Sequence, residues 1–547
     1  MSPLSKVRHS RNQWKSKASQ RATGNRYLRR ELVRAKRERD EHKRARQAAE
    51  ARLHDYENRE AAVAVRTKVD VIEISLKLFL EARLSFRAVS RALGCLTLVL
   101  GLKRAPCPQS VINWVMRLSL VRLQSATAFG QSPLRADPFA NGSIWLIDIS
   151  ITLGAGKILA ILALNARHHE RYAEAPTLRQ VRCIAVAVAD SWDGAQVATF
   201  VQRVIAVQGR PVAYLKDGGS ELQNAVERVT QDGLASATIA DISHVVANLL
   251  KRRYQDHPQF ATFLSVCGRI SGHLKQTLLA CLVPPRLPGK ARFMNVHRLV
   301  NWANRVLKLS PPGGAATGSM LAKLRAALDD LPACRALLKS FQADATALLA
   351  CQQIVKTRGL SHETFSACQD VICQIPSATV REPFDAYLRY QLQTATELGL
   401  DQVGMPISSD AIESLFGVAK RHGTGALHDA GRIALRVPAL CGELTREEAQ
   451  AVATISVAQQ REFSAGLPSL TKQRREVFAH PERLEELGLD QPTPIELIAG
   501  SKKRSTSADI ISLPPDPIAP LSMGYEEPSE SPPECEIEPL RLARASP

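Results

Sequence analysis

Near residue 140 the apolar residues of this chain leave helical spacing and gather into three short runs. These are SIWLIDIS from Ser143, GKILAILALNAR from Gly156 and RCIAVAVADS from Arg182. Runs of this length, rich in Ile, Leu and Val and bounded by turn residues, read as buried strands joined in a meander. Beyond Ser191 the pattern alternates between helix and strand. DGAQVATFVQRVIAVQG reads as a helix whose Asp193 and Gln196 form a capping box. PVAYLKDGG reads as a fourth strand, SELQNAVERVTQDG as a helix, SATIADIS as a fifth strand and HVVANLLKRRYQ as a helix. Three hairpin-connected strands succeeded by alternating helices and strands build a mixed sheet with helices on both faces. The expected class is α/β.

The order β-β-β-α-β-α-β-α resembles that of the ribonuclease H-like fold. One residue in its first strand is out of place. Asp148 sits among Ile144, Trp145, Leu146, Ile147 and Ile149, where full burial would raise a carboxyl pKa by up to about 3 to 5 units. In this strand order the first and fourth strands run side by side and parallel, so Asp148 can meet Asp217 at one edge of the sheet. Converging carboxylates hold Mg²⁺ by hard oxygen ligands, and two such ions clamp the attacking and leaving oxygens of a phosphoryl displacement. Glu413, on the helix SSDAIESLFGVAKRHG expected to end at Gly423, is the candidate third carboxylate. It shares a helix face with Phe416, Gly417 and Lys420, so Lys420, with Arg421 beside it, can reach toward a phosphate.

Each candidate has a plainer reading. Asp217 in KDGGSE can simply open a turn, and Glu413 can be the back half of a capping box with Asp410. Asp190, Asp193 and Asp241 stand at strand ends or helix starts, where capping explains them. Asp241 and His244 in DISH are expected near the pocket without a direct catalytic role. The pair His168 and His169 reads as a solvated turn.

The flanking regions divide by composition. Residues 1–65 form a basic helix or weak dimerising coil, and 66–130 a helix-turn-helix whose second helix starts near Ser110 and lies in the major groove. Residues 140–250 are the first part of a catalytic core, 251–400 an all-helical insertion and 401–440 the closing helix of the core. Residues 441–500 read as a helical C-terminal segment, and 501–547, rich in Pro, Ser and Glu, as a disordered tail. A formal net charge of +19 over 547 residues points to a polyanionic partner. Eleven scattered cysteines without a C-x-x-C pair suggest neither a disulfide framework nor a zinc ribbon and fit a reducing cytoplasm. No signal peptide or membrane span is expected.

WLIDIS, YLKDGGSEL, DISHVVANLLKRR and DAIESLFGVAKRH together resemble the DDE transposases of bacterial insertion sequences, specifically those with a helical insertion before the catalytic Glu. The resemblance implies Mg²⁺-dependent cleavage of transposon-end DNA, then strand transfer of the 3′-hydroxyl, with Mn²⁺ as an alternative ion. It carries Asp148, Asp217 and Glu413 over as catalytic metal ligands, and the DNA-binding role falls to Lys420 and Arg421. The implied partners are double-stranded DNA, as terminal inverted repeats and as target, and a second copy of the chain. The implied site of action is the bacterial nucleoid. The rivals are a transposase-derived DNA-binding protein with a silent site, and a structure-specific nuclease of the same fold that cuts without joining.

Overall fold

The computed structural model describes residues 3–63, 67–102, 104–125, 142–150, 156–231, 233, 236–287, 292–309, 314–421, 429–465 and 495–500. The expected tail, 501–547, and Gly423 lie outside them. The N-terminal basic stretch is a single helix, α1 (Pro3–Val63), whose apolar residues Trp14, Leu28 and Leu32 are exposed.

Three shorter helices come next: α2 (Lys68–Leu80), α3 (Phe86–Cys95) and α4 (Pro108–Ser125). Thr67 and Asp70 make a reciprocal capping box at the start of α2, and the Ser85 hydroxyl accepts from Ala88 N–H at the start of α3. The three helices bury one face each. Phe79 stacks on Phe86 with ring centroids 4.8 Å apart, and Val111, Val115 and Leu118 complete the contact from α4.

The sheet strands are β1 (Ser143–Ile149), β2 (Lys157–Asn165), β3 (Val181–Ala189), β4 (Ala213–Lys216), β5 (Ala237–Ala240) and β6 (Ile495–Ile498), with α5 (Gly194–Gln208) and α6 (Ser220–Gln231) between β3, β4 and β5. The strands lie in the order β5-β4-β1-β2-β3-β6. β1, β2 and β3 are antiparallel neighbours, whereas β4 and β5 run parallel to β1. This is a mixed sheet, and its central strand is almost wholly buried: Ile144, Trp145, Leu146 and Ile147 are at most 1% exposed.

After β5 the described chain is helical as far as Glu397. It comprises α7 (Ile242–Tyr254), α8 (Pro258–Leu274), α9 (Arg292–Leu309), α10 (Met320–Leu328), α11 (Arg335–Arg358), α12 (His362–Ile372) and α13 (Ala378–Glu397). α11 is the spine of this layer, packing on α7, α9 and α12 through Leu338, Phe341, Leu348 and Val355. The chain then returns to the sheet edge as α14 (Asp410–Arg421), before α15 (Ala430–Ala434), α16 (Arg446–Thr454) and α17 (Val457–Phe463).

One expectation is corrected by the fold and another is narrowed by it. Within residues 441–500, expected to be helical, Ile495–Ile498 forms the edge strand β6, antiparallel to β3. It is fixed by distant partners: Glu496 accepts from Arg203 of α5, and Gly500 N–H donates to Leu123 O at 2.7 Å. The second helix of the expected helix-turn-helix, α4, is not available to a groove along its length. No residue from Val111 to Leu123 is exposed, because α4 is clasped by α2, α3, α16 and α17. Its first turn, with Gln109 and Ser110, stays accessible.

Candidate active site

The site is assembled by strand register. Ile147 of β1 is level with Lys216 of β4, and Lys216 is level with Ala240 of β5. One residue further on, Asp148, Asp217 and Asp241 therefore stand abreast at the C-terminal ends of three adjacent parallel strands. Residues level across a sheet point to one face, and Asp217 lies near enough to Asp148 for its charge to act there.

Each is held differently. Asp148 is half-buried and accepts one hydrogen bond, from Ile149 N–H at 2.7 Å. Burial, together with the neighbouring Asp217 charge, pushes its carboxyl up to about 7. Asp217 makes the turn that its sequence suggested, accepting from Gly219 N–H at 2.9 Å, while remaining beside Asp148. A Cβ on Gly219 would sit 3.0 Å from the Asp217 oxygen, close enough that the carboxylate would have to give by a few tenths of an ångström. The plain and the functional readings of Asp217 are compatible.

Asp241 is buried and fully engaged. One oxygen accepts from His244 N–H at 2.8 Å and His244 Nδ1 at 3.0 Å, the other from Ser409 N–H at 2.6 Å and Ser409 Oγ at 2.9 Å. Burial alone would raise its pKa, but the bonds from His244 and Ser409 reverse the balance and lower it. The same contacts act on His244. Burial opposes its imidazolium, yet the Asp241 hydrogen bond and the charges of Asp241, Asp217 and Glu413 push it up to about 9.

Glu413 arrives from α14, with Oε1 3.9 Å from His244 Nδ1. Its pKa is raised by burial and by the Asp241 charge, against the pull of His244 and Lys356. The alternative capping-box role with Asp410 is not what the side chains do. Lys356 Nζ at the end of α11 donates to both Asp410 oxygens at 2.6 and 2.8 Å, and Ser243 Oγ donates to one of them at 3.4 Å. Glu413 N–H instead bonds Ser409 O at 3.3 Å. Lys356 and Asp410 thus tie the helical layer to the start of α14 and orient Glu413.

Asp148, Asp217 and Glu413 are therefore brought to one side of the sheet edge, and Asp241 with His244 lies beside them, near the pocket as expected. Among the described residues no three such groups already converge as a finished metal cage. Their donor set is nevertheless all hard oxygen, and the Asp217 charge raises the cost of ionising Asp148. A divalent cation relieves that repulsion. Lys420 and Arg421 are exposed on the last turn of α14.

The histidine pair after β2 is corrected. His168 is 2% exposed, its Nε2 donating to Glu174 O at 3.1 Å, and burial, then His168, push His169 down to about 4. His168 is buried and His169, half-buried, lies against the Gly359 backbone, so the pair is not a solvated turn.

No protein-family model matches the chain, and no curated protein shows significant similarity to it. Among the described residues no helix is long and apolar enough to cross a membrane.

Proposed function

We propose that this chain is a DNA transposase of the DDE type with a ribonuclease H-like catalytic core, cleaving transposon-end DNA and joining its 3′-hydroxyl to target DNA. The observation that carries the reading is the placement of Asp148 and Asp217 abreast on neighbouring parallel strands, with Glu413 facing them from α14. In this reading Asp148, Asp217 and Glu413 hold two Mg²⁺, with Mn²⁺ as an alternative. The ions supply Lewis-acid polarisation of the phosphoryl oxygens and activation of the attacking hydroxyl.

The protein's own groups then have defined tasks. Asp241 holds His244 between the carboxylates, and its imidazolium offsets part of their mutual repulsion before DNA arrives. Lys356, through Asp410, fixes the start of α14 and hence Glu413. Lys420 and Arg421 steady phosphates flanking the scissile one.

Terminal-repeat binding is assigned to α1, to the exposed Arg87 and Arg91 of α3 and to the first turn of α4, in the manner of a helix-turn-helix. Every charged residue of α1 from Lys6 to Arg30 is basic, which suits phosphate contact. Pairing two ends calls for at least a dimer, acting at the nucleoid.

The deciding assay incubates the full chain with Mg²⁺ and DNA ending in a labelled 3′-hydroxyl. Joined product supports transposition, cut product alone marks a nuclease, and retention without either marks a binding protein. Asp148→Asn should abolish cleavage while leaving DNA binding intact. Undiminished cleavage by that variant would remove Asp148 from the site.

A further inference from the structure

A separate basic feature lies in the helical layer, away from the carboxylates. A cleft of about 940 Å³ opens between α9, α11 and α12, lined by Asn301, Arg305 and Lys308 of α9, Lys339 and Gln342 of α11 and Gln374 just past α12. Among the described residues no Asp or Glu lines it. Arg305, Lys308 and Lys339 are all exposed. Other cations of the same layer find local carboxylates: Arg269 pairs with Asp330 at 2.7 Å and Arg389 with Asp385 at 2.8 Å. Three cations gathered on facing helices without a lining carboxylate repel one another, and an anionic ligand relieves that repulsion.

The lining also selects the kind of anion. Side-chain amides flank the cations and can donate to phosphate or sugar oxygens, whereas no aromatic residue lines the cleft to stack a base. That set suits the backbone of a duplex rather than unstacked bases. α11 connects the cleft to the carboxylates, since Lys356 at its far end holds Asp410. From Lys339 to Lys356 a helix spans about 25 Å at about 1.5 Å per residue, the length of about seven base pairs at about 3.4 Å each.

We propose that this cleft is a second DNA contact, gripping the phosphodiester backbone about seven base pairs from the phosphate undergoing reaction. The proposal rests on the transposase reading and is separable from it. The test compares the full chain with its Arg305→Gln, Lys308→Gln, Lys339→Gln triple variant, measuring anisotropy of a labelled duplex of about 30 base pairs against salt concentration. Each lost phosphate contact reduces the slope of log K against log salt by about 0.9, so the variant's slope should be shallower by about 2 to 3. On duplexes reaching fewer than about four base pairs beyond the cleavage point, the two proteins should bind alike.

An unchanged slope on the long duplex overturns the cleft, as does equal weakening on long and short duplexes. If the wild type cuts and joins DNA while the slope is unchanged, the cleft alone fails. If the slope falls as expected but the wild type neither cuts nor joins, the transposase reading fails and with it the seven-base-pair spacing, while the cleft stands as a contact to duplex backbone. A wild type that does not bind duplex DNA overturns both.

Discussion

Asp241 has no exposed side-chain surface, yet its carboxylate stays charged because four hydrogen bonds reach its two oxygens. Removing it strands His244 beside two other carboxylates and leaves Ser409 unpaired. Asp241→Ala should therefore destabilise the fold by about 3 to 5 kcal/mol, read by urea unfolding; a loss under about 1 kcal/mol would deny the network its structural role. His244→Ala keeps Asp241 partly bonded and should act on the chemistry instead. A positioning partner of metal ligands is worth about 10- to 100-fold, so metal-dependent cleavage should fall by that factor with DNA affinity unchanged.

Two histidines give stability opposite pH limbs in the metal-free protein. The folded-state pKa of His244, about 9, lies above the usual imidazole value of about 6.5. Its contribution is thus complete below about pH 6.5 and is lost as pH rises through about 9. His169, pushed down to about 4, works in reverse: its contribution is intact above about pH 6.5 and drains away as pH falls toward 4. Unfolding free energies of His244→Gln and His169→Gln across pH 4 to 10 should flatten the alkaline and acid limbs respectively. A swap of those assignments, or no flattening, contradicts the burial of these rings.

At the scale of elements, the order of strands and helices from β1 to α7 is legible in the sequence because the hydrophobic period changes sharply and capping residues stand where helices begin. Asp148 is legible for a related reason: a mid-strand carboxylate makes neither a turn nor a cap. The pairing of Asp241 with His244 escapes such reading because a residue opening a helix is adequately explained as a cap, and Asp241 is one. Its second oxygen, however, is bonded to Ser409, 168 residues away, and nothing local marks that partner. β6 is hidden on similar grounds, being four residues long with its anchor, Arg203, 293 residues earlier in the chain. The burial of α4 also depends on segments late in the sequence. Arg122 donates to both Glu448 oxygens at 2.9 Å and to Ala439 O at 2.9 Å, clamping α4 onto α16. A lysine cannot reproduce that planar fork, so Arg122→Lys should lower stability by about 2 to 4 kcal/mol, visible as a lower melting temperature with DNA-binding residues untouched.

Across the whole molecule, charge is unevenly assigned. α1 is basic without interruption through Arg30, and acidic residues enter only from Glu31 onward, where Arg34 pairs with Glu38 and Arg37 with Glu41. Such exposed pairs contribute little to stability. Deleting residues 1–63 should accordingly leave the melting temperature within about 2 °C while making duplex binding markedly less salt-dependent. A large drop in melting temperature would mean that α1 is packed against the rest of the chain.

The register that sets Asp148, Asp217 and Asp241 abreast also bears on how the protein folds. β1 and its parallel partner β4 are separated in the chain by β2, β3 and α5, and β5 lies further on still. Parallel pairing across such crossovers is slow because loops must close before contacts reward them. A slip of one residue in β1 would turn Asp148 to the opposite face. The carboxylate cluster therefore cannot form in a partly paired chain. During refolding, metal binding should appear in the slowest phase, after most helical signal has returned, which makes the site a clock for completion of the sheet.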